Sequence, residues 1–174
     1  MLHWNLCRKY NLPTADKWWE HKVDKVLQKE DVKILWDFKI QTDKHLAHNI
    51  PDITMVEKKR VWIIDVAIPG DDRIEEKELE KISKYQALKI EIERLWEKQA
   101  TVVPVVIGSL GAIPRDLRKH LGTIGLESIS PSQQQKTVGN STYPTQAPLK
   151  FLNPRRGSER KRTQNNTGPE HLVD

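Results

Sequence analysis

The chain has 174 residues, 37% of them hydrophobic, with a formal net charge of +5 and one cysteine. That length suits a single domain with a tail and a core of modest size. A lone cysteine excludes an intramolecular disulfide framework and fits a reducing compartment, so a nuclear or cytoplasmic setting is expected. No apolar run approaches the roughly 20 residues that span a bilayer, and Met1-Leu2-His3-Trp4 has neither stretch of a secretory signal, so no membrane partner is expected. The charge is uneven. Residues 127–174 hold seven basic and four acidic side chains, leaving 22 basic against 20 acidic in the rest. Nucleic-acid binding by that larger part needs a local basic patch rather than bulk charge.

In chain order, residues 1–29 read as a helical segment in two pieces. The first holds Trp4, Cys7 and Arg8 and breaks at Asn11-Leu12-Pro13. The second has Thr14 as N-cap, Asp16 in its first turn, and Trp18, Trp19, Val23, Val26 and Leu27 at helical spacing. From Val32 the period changes, and Val32–Ile40 reads as a strand. Asp52–Val56 is a second strand, begun at Pro51, and Glu57-Lys58-Lys59 a polar hairpin turn. Arg60–Ala67 is a third strand, nearly all apolar and therefore interior. The spacing then predicts one long helix over 74–98, with Asp72 as N-cap and Glu75 and Glu76 in its first turn. Thr101–Ile107 is a fourth, buried strand interrupted by Pro104, and Ile113–Leu121 a short amphipathic helix. Beyond Leu126, Ser, Gln, Thr, Asn and Pro dominate around a basic cluster at Arg155–Arg162, which reads as a disordered tail. The division is an N-terminal segment 1–29, a core 30–126 and a tail 127–174. The expected fold is α/β, a mixed four-stranded sheet flanked by helices, with the fourth strand parallel to one of the others.

Asp52 opens the second strand and Asp65 lies near the end of the third. Joined by a short turn, those strands bring the two carboxylates close across the ladder. Ionised aspartate is rarely buried without a positive partner, and a hard divalent cation between two such groups relieves their repulsion. A cation of that kind can activate water against a phosphodiester. The other reading is an edge aspartate at a turn and a capped aspartate at a strand end. A nuclease needs a third group, usually a lysine, and the residue two after Asp65 is Ala67. The long helix offers a replacement. Lys81 falls within its apolar stripe of Ile74, Tyr85, Leu88, Ile92, Leu95 and Trp96, and Lys84 sits at the margin. A lysine there either points into the sheet or snorkels past it.

The strings Leu35-Trp36-Asp37-Phe38, Ile40-Gln41-Thr42-Asp43, Pro51-Asp52, Ile63-Ile64-Asp65-Val66-Ala67-Ile68-Pro69-Gly70-Asp71, Lys81-Ile82, Lys84-Tyr85-Gln86 and Val103-Pro104-Val105-Val106-Ile107-Gly108 occur in that order. Together, over about residues 1–126, they resemble the C-terminal region of reverse transcriptases from site-specific non-LTR retrotransposons. That region carries a restriction-like endonuclease of the PD-(D/E)xK type. The resemblance implies an αβββαβ core that nicks target DNA, exposing a 3′ hydroxyl to prime reverse transcription. It implies Asp52 and Asp65 as ligands of Mg²⁺ or Mn²⁺ and a helix-borne lysine, Lys81 or Lys84. Its implied partners are DNA, and element RNA or reverse transcriptase domains in a longer parent protein. The alternative is a DNA-binding or interaction remnant without catalysis. Ile50 favours it, standing where the family often has a basic residue.

Three further features carry a second reading. His3-x-x-x-Cys7 has helical metal-ligand spacing and His21 could join it, but structural zinc usually wants four ligands, so a solvated histidine and a buried cysteine are expected. Trp4, Trp18 and Trp19 could stack on bases, though core packing is their commoner use. The Arg155–Arg162 cluster could bind phosphate or direct nuclear import, or be a solvated tail.

Overall fold

The structure is a computed structural model that describes residues 1–126. The tail and its basic cluster lie outside the described residues. The elements are α1 (Leu2–Lys9), β1 (Val26–Lys29), β2 (Val32–Trp36), β3 (Ile53–Val56), β4 (Arg60–Ala67), α2 (Ile74–Lys84), α3 (Gln86–Trp96), β5 (Gln99–Val106) and α4 (Leu117–Thr123). The five strands form one sheet in sequence order. β1 to β4 pair antiparallel, with short turns between β1 and β2 and between β3 and β4 and a long connection, residues 37–52, between β2 and β3, and β5 returns through α2 and α3 to lie parallel to β4. The fold is therefore mixed α/β. No helix among the described residues is long and apolar enough to cross a membrane.

The period-2 alternation of the strands divides the core between two faces. On one, Ile34, Met55, Trp62 and Ile64 pack under Leu6 and Cys7 of α1 and Leu117 and Leu121 of α4. On the other, Leu35, Val61, Ile63 and Ala100 pack under Tyr85, Leu88 and Ile92. Burying an isoleucine or leucine side chain in this way contributes about 1.5–3 kcal/mol. The odd-numbered positions of β4 thus face α2 and α3, and Asp65 is one of them.

Four expectations need correction. The second N-terminal helix does not form. Residues 10–25 hold turns only, and Val26–Lys29 is an edge strand, so the sheet has five strands rather than four. The strand expected over Val32–Ile40 stops at Trp36, because Asp37 turns the chain into the left-handed region with φ 43°. The long helix is two helices broken at Tyr85. Finally, Asp72 does not cap it. Asp71–Arg73 is a 3₁₀ turn, and α2 starts after Arg73 with no side-chain cap.

Smaller shifts occur at β5, which begins at Gln99, and at α4, which starts at Leu117 and not at Ile113. β5 is an edge strand, where a proline such as Pro104 leaves no interior ladder bond unmade.

Candidate active site

β3 and β4 pair with Ile53 opposite Ile64. One step further along that register, Asp52 stands opposite Asp65, and antiparallel partners project to the same face. Both carboxylates are buried, at 8% and 1% exposure. Asp52 is fixed twice. Its carbonyl accepts the Asp37 N–H at 2.9 Å, and its Oδ2 accepts the Val66 N–H at 2.7 Å. The second bond ends the β3–β4 ladder with a charged acceptor, a stronger bond than a neutral carbonyl would make.

Asp65 is approached from the helix layer. Lys81 and Lys84 lie three residues apart and Tyr85 follows, so all three share one helix face. The Tyr85 hydroxyl donates to Asp65 Oδ1 at 2.7 Å and also lies 3.3 Å from the Ile50 carbonyl. The Lys81 ammonium is 2.5 Å from Asp65 Oδ2 and that of Lys84 is 3.8 Å from it. Lys84 also lies over the Tyr85 ring, 4.6 Å from its centroid. Lys81 therefore points into the sheet rather than snorkelling past it, with a side chain only 13% exposed.

The contact with Lys81 is an ion pair and not an aligned hydrogen bond, so Asp65 Oδ2 is buried without a directed donor. A metal ion at Oδ2 would have to displace the Lys81 ammonium from that oxygen, and the all-oxygen donor set of the two carboxylates suits Mg²⁺ or Mn²⁺. Asp52 and Asp65 are the residues that would hold it.

All four sequence-derived site residues thus converge on one patch: Asp52 and Asp65 across the β3–β4 register, Lys81 and Lys84 from α2. Sequence reasoning placed Tyr85 in the apolar stripe and missed its hydroxyl. The signal was present, since a buried tyrosine in place of phenylalanine implies a partner for its O–H.

A second basic feature lies on α4 and the turn before it. Arg115, Arg118 and Lys119 line an open depression of about 620 Å³. It is a local patch of the type that a weakly basic domain would need to meet phosphate.

No family model matches the chain, and no match was found among curated proteins or solved structures.

Proposed function

We propose that the chain is a metal-dependent DNA endonuclease domain derived from a non-LTR retrotransposon, which nicks target DNA to prime reverse transcription. One observation carries this reading. A 1%-exposed carboxylate, Asp65, faces a second buried carboxylate across the sheet and receives two lysines from a helix, although the usual in-strand lysine position is Ala67. Burying charges at this density carries a desolvation cost that packed apolar side chains would avoid, which favours a use for them beyond stability.

In this reading Asp52 and Asp65 bind Mg²⁺ or Mn²⁺, which supplies Lewis-acid activation of water and of the phosphoryl oxygens when bound. The Val66 N–H fixes Asp52, and the Tyr85 hydroxyl fixes the rotamer of Asp65. Lys81 holds the attacking water and offsets the charge that develops on the phosphate, with Lys84 behind it. Water adds to phosphorus, the P–O3′ bond breaks, a proton from the water reaches the departing 3′ oxygen through solvent, and a 5′ phosphate and a 3′ hydroxyl remain.

A second reading, a DNA-binding remnant without catalysis, is favoured by the same ion pair, because Lys81 balances the Asp65 charge with no added ion. Plasmid nicking separates the two. The full chain should convert supercoiled to open-circular plasmid only with Mg²⁺ or Mn²⁺, and Asp65→Ala should abolish conversion. Metal-independent nicking, or undiminished nicking by Asp65→Ala, would overturn the endonuclease reading. Salt-dependent binding without any nicking would establish the remnant.

A further inference from the structure

A different cluster lies on the opposite side of the sheet. His3 and Cys7, one turn apart on α1, meet His21, which returns from the end of the irregular segment 10–25. All three are buried, His3 and His21 at 2% and 6% exposure and Cys7 at 0%, so the expected solvated histidine is not found. Their ligand atoms lie within 4.8 Å of one another.

Two of the three ligand-to-ligand distances come near those of one ion. In a tetrahedral site with Zn–N near 2.05 Å and Zn–S near 2.3 Å, the N···N edge is about 3.3 Å and the N···S edge about 3.6 Å. His3 Nδ1 lies 3.6 Å from Cys7 Sγ and 2.9 Å from His21 Nε2. The first edge has the required length, but Sγ also lies 3.9 Å from Nε2 of the same ring, so the His3 ring must turn to aim Nδ1 at a shared ion, and the two rings must part by about 0.4 Å.

The surroundings also fit. A cavity of about 20 Å³ lined by His3, His21, Trp4, Trp18 and Trp36 adjoins the cluster, room for one water. Asp24 is a carboxylate whose charge is felt by both Cys7 and His21. Segments as long as 10–25 without helix or strand are uncommon in compact domains, where they are usually functional loops or linkers.

We propose that His3 Nδ1, Cys7 Sγ and His21 Nε2 bind one Zn²⁺, with water in the fourth position, and that the ion clips residues 10–25 onto α1. Binding releases the Cys7 proton to solvent. The site is independent of the proposed endonuclease centre, and its test does not need nicking activity.

The test is metal analysis of the full purified chain. One equivalent of zinc per chain should survive gel filtration. Loading with Co²⁺ in its place should give a thiolate-to-metal charge-transfer band and intense tetrahedral d–d bands. Cys7→Ser and His21→Gln should weaken zinc binding roughly 100-fold or more, beyond the range for outer-shell partners. Asp65→Asn should leave it unchanged. Absence of a tight equivalent in the wild-type chain, a weak octahedral cobalt spectrum, or equal affinity in the Cys7→Ser and His21→Gln variants would each overturn the proposal. The wild-type cobalt spectrum decides even if a variant fails to fold.

Discussion

Replacing Lys81 by methionine keeps a flexible stem of similar length and deletes the ammonium. The carboxylate left behind is 1% exposed. Removing the partner of a buried charge usually costs about 3–5 kcal/mol. Here the loss is partly covered. Lys84 remains at 3.8 Å against 2.5 Å for Lys81, and attraction falling inversely with distance leaves about two-fifths of the two lysines' combined interaction. The Tyr85 bond to Oδ1 also remains. The expected cost of Lys81→Met is therefore about 2 kcal/mol, below the usual range. The Lys81→Met/Lys84→Met pair should cost more than the sum of the single variants, because each lysine covers for the other.

The assay is urea denaturation of the full chain at pH 7 with chelator, comparing midpoints at constant slope. Adding Asp65→Asn to Lys81→Met should recover most of the loss, since the uncompensated charge is then gone. Mg²⁺ should stabilise Lys81→Met more than it stabilises wild type, by linkage to an ion that takes the ammonium's place. If Lys81→Met lies within about 0.5 kcal/mol of wild type, or shows no coupling to Asp65→Asn, the ion pair is not what holds Asp65 and the reasoning fails.

Further expectations concern the neighbours of that pair and the rest of the molecule. Tyr85→Phe removes a donor to a buried carboxylate and should cost about 1.5–3 kcal/mol in the same denaturation assay, while a near-zero change would show that the hydroxyl does not hold Asp65. Arg118→Ala with Lys119→Ala should weaken binding to arbitrary duplex DNA and reduce the slope of log affinity against log salt by about two, and an unaltered slope would remove the α4 patch from the binding face. Acid should destabilise the chelated protein. The folded-state pKa of His3 lies near 4 against an ordinary 6.5, mainly through burial and then through His21, so between those values the unfolded chain binds more protons. Stability should fall as pH drops from 6.5 towards 4, by about 1.4 kcal/mol per unit from His3 alone at the steepest. His21 and His120, lowered chiefly by burial, add in the same direction, and Glu78, raised chiefly by burial, opposes them. Stability that is flat or rising over that range would contradict the burial of His3.

β4 was legible in the sequence because its signal is local. Val61–Ile64 is continuously apolar, and the Glu57-Lys58-Lys59 turn marks its start. β1 was not. Its hairpin to β2 turns through Glu30-Asp31 alone, with Glu30 at φ 49°. That turn usually announces itself with Asn-Gly or Asp-Gly, and Glu-Asp carries no such mark. Meanwhile Trp18, Trp19, Val23, Val26 and Leu27 imitate a helical stripe. The break at Tyr85 has no glycine or proline to signal it. The convergence of Asp52, Asp65 and Lys81 was readable because the acids follow from strand register and the lysine from its place in an apolar stripe. The role of Tyr85 was not, because stripe membership alone explained its presence. The His3–Cys7–His21 cluster was visible only in part. Helical spacing joined the first two, but the return of His21 depends on a path through residues 10–25 that no periodicity encodes.

Placing the lysines on a helix makes the angular phase of α2 a property of the site. Each residue advances about 100° around the axis. Ile74, buried at the start of α2, and Tyr85, buried at its end, set that phase. A one-residue insertion between Ile74 and Lys81 would bring Glu80 into the slot now held by Lys81 and present like charge to Asp65. A one-residue deletion there would bring Ile82. The stretch between β4 and the 3₁₀ turn has no such phase to keep. In this chain, length is constrained over about two turns of helix and comparatively free in the loop that leads to it.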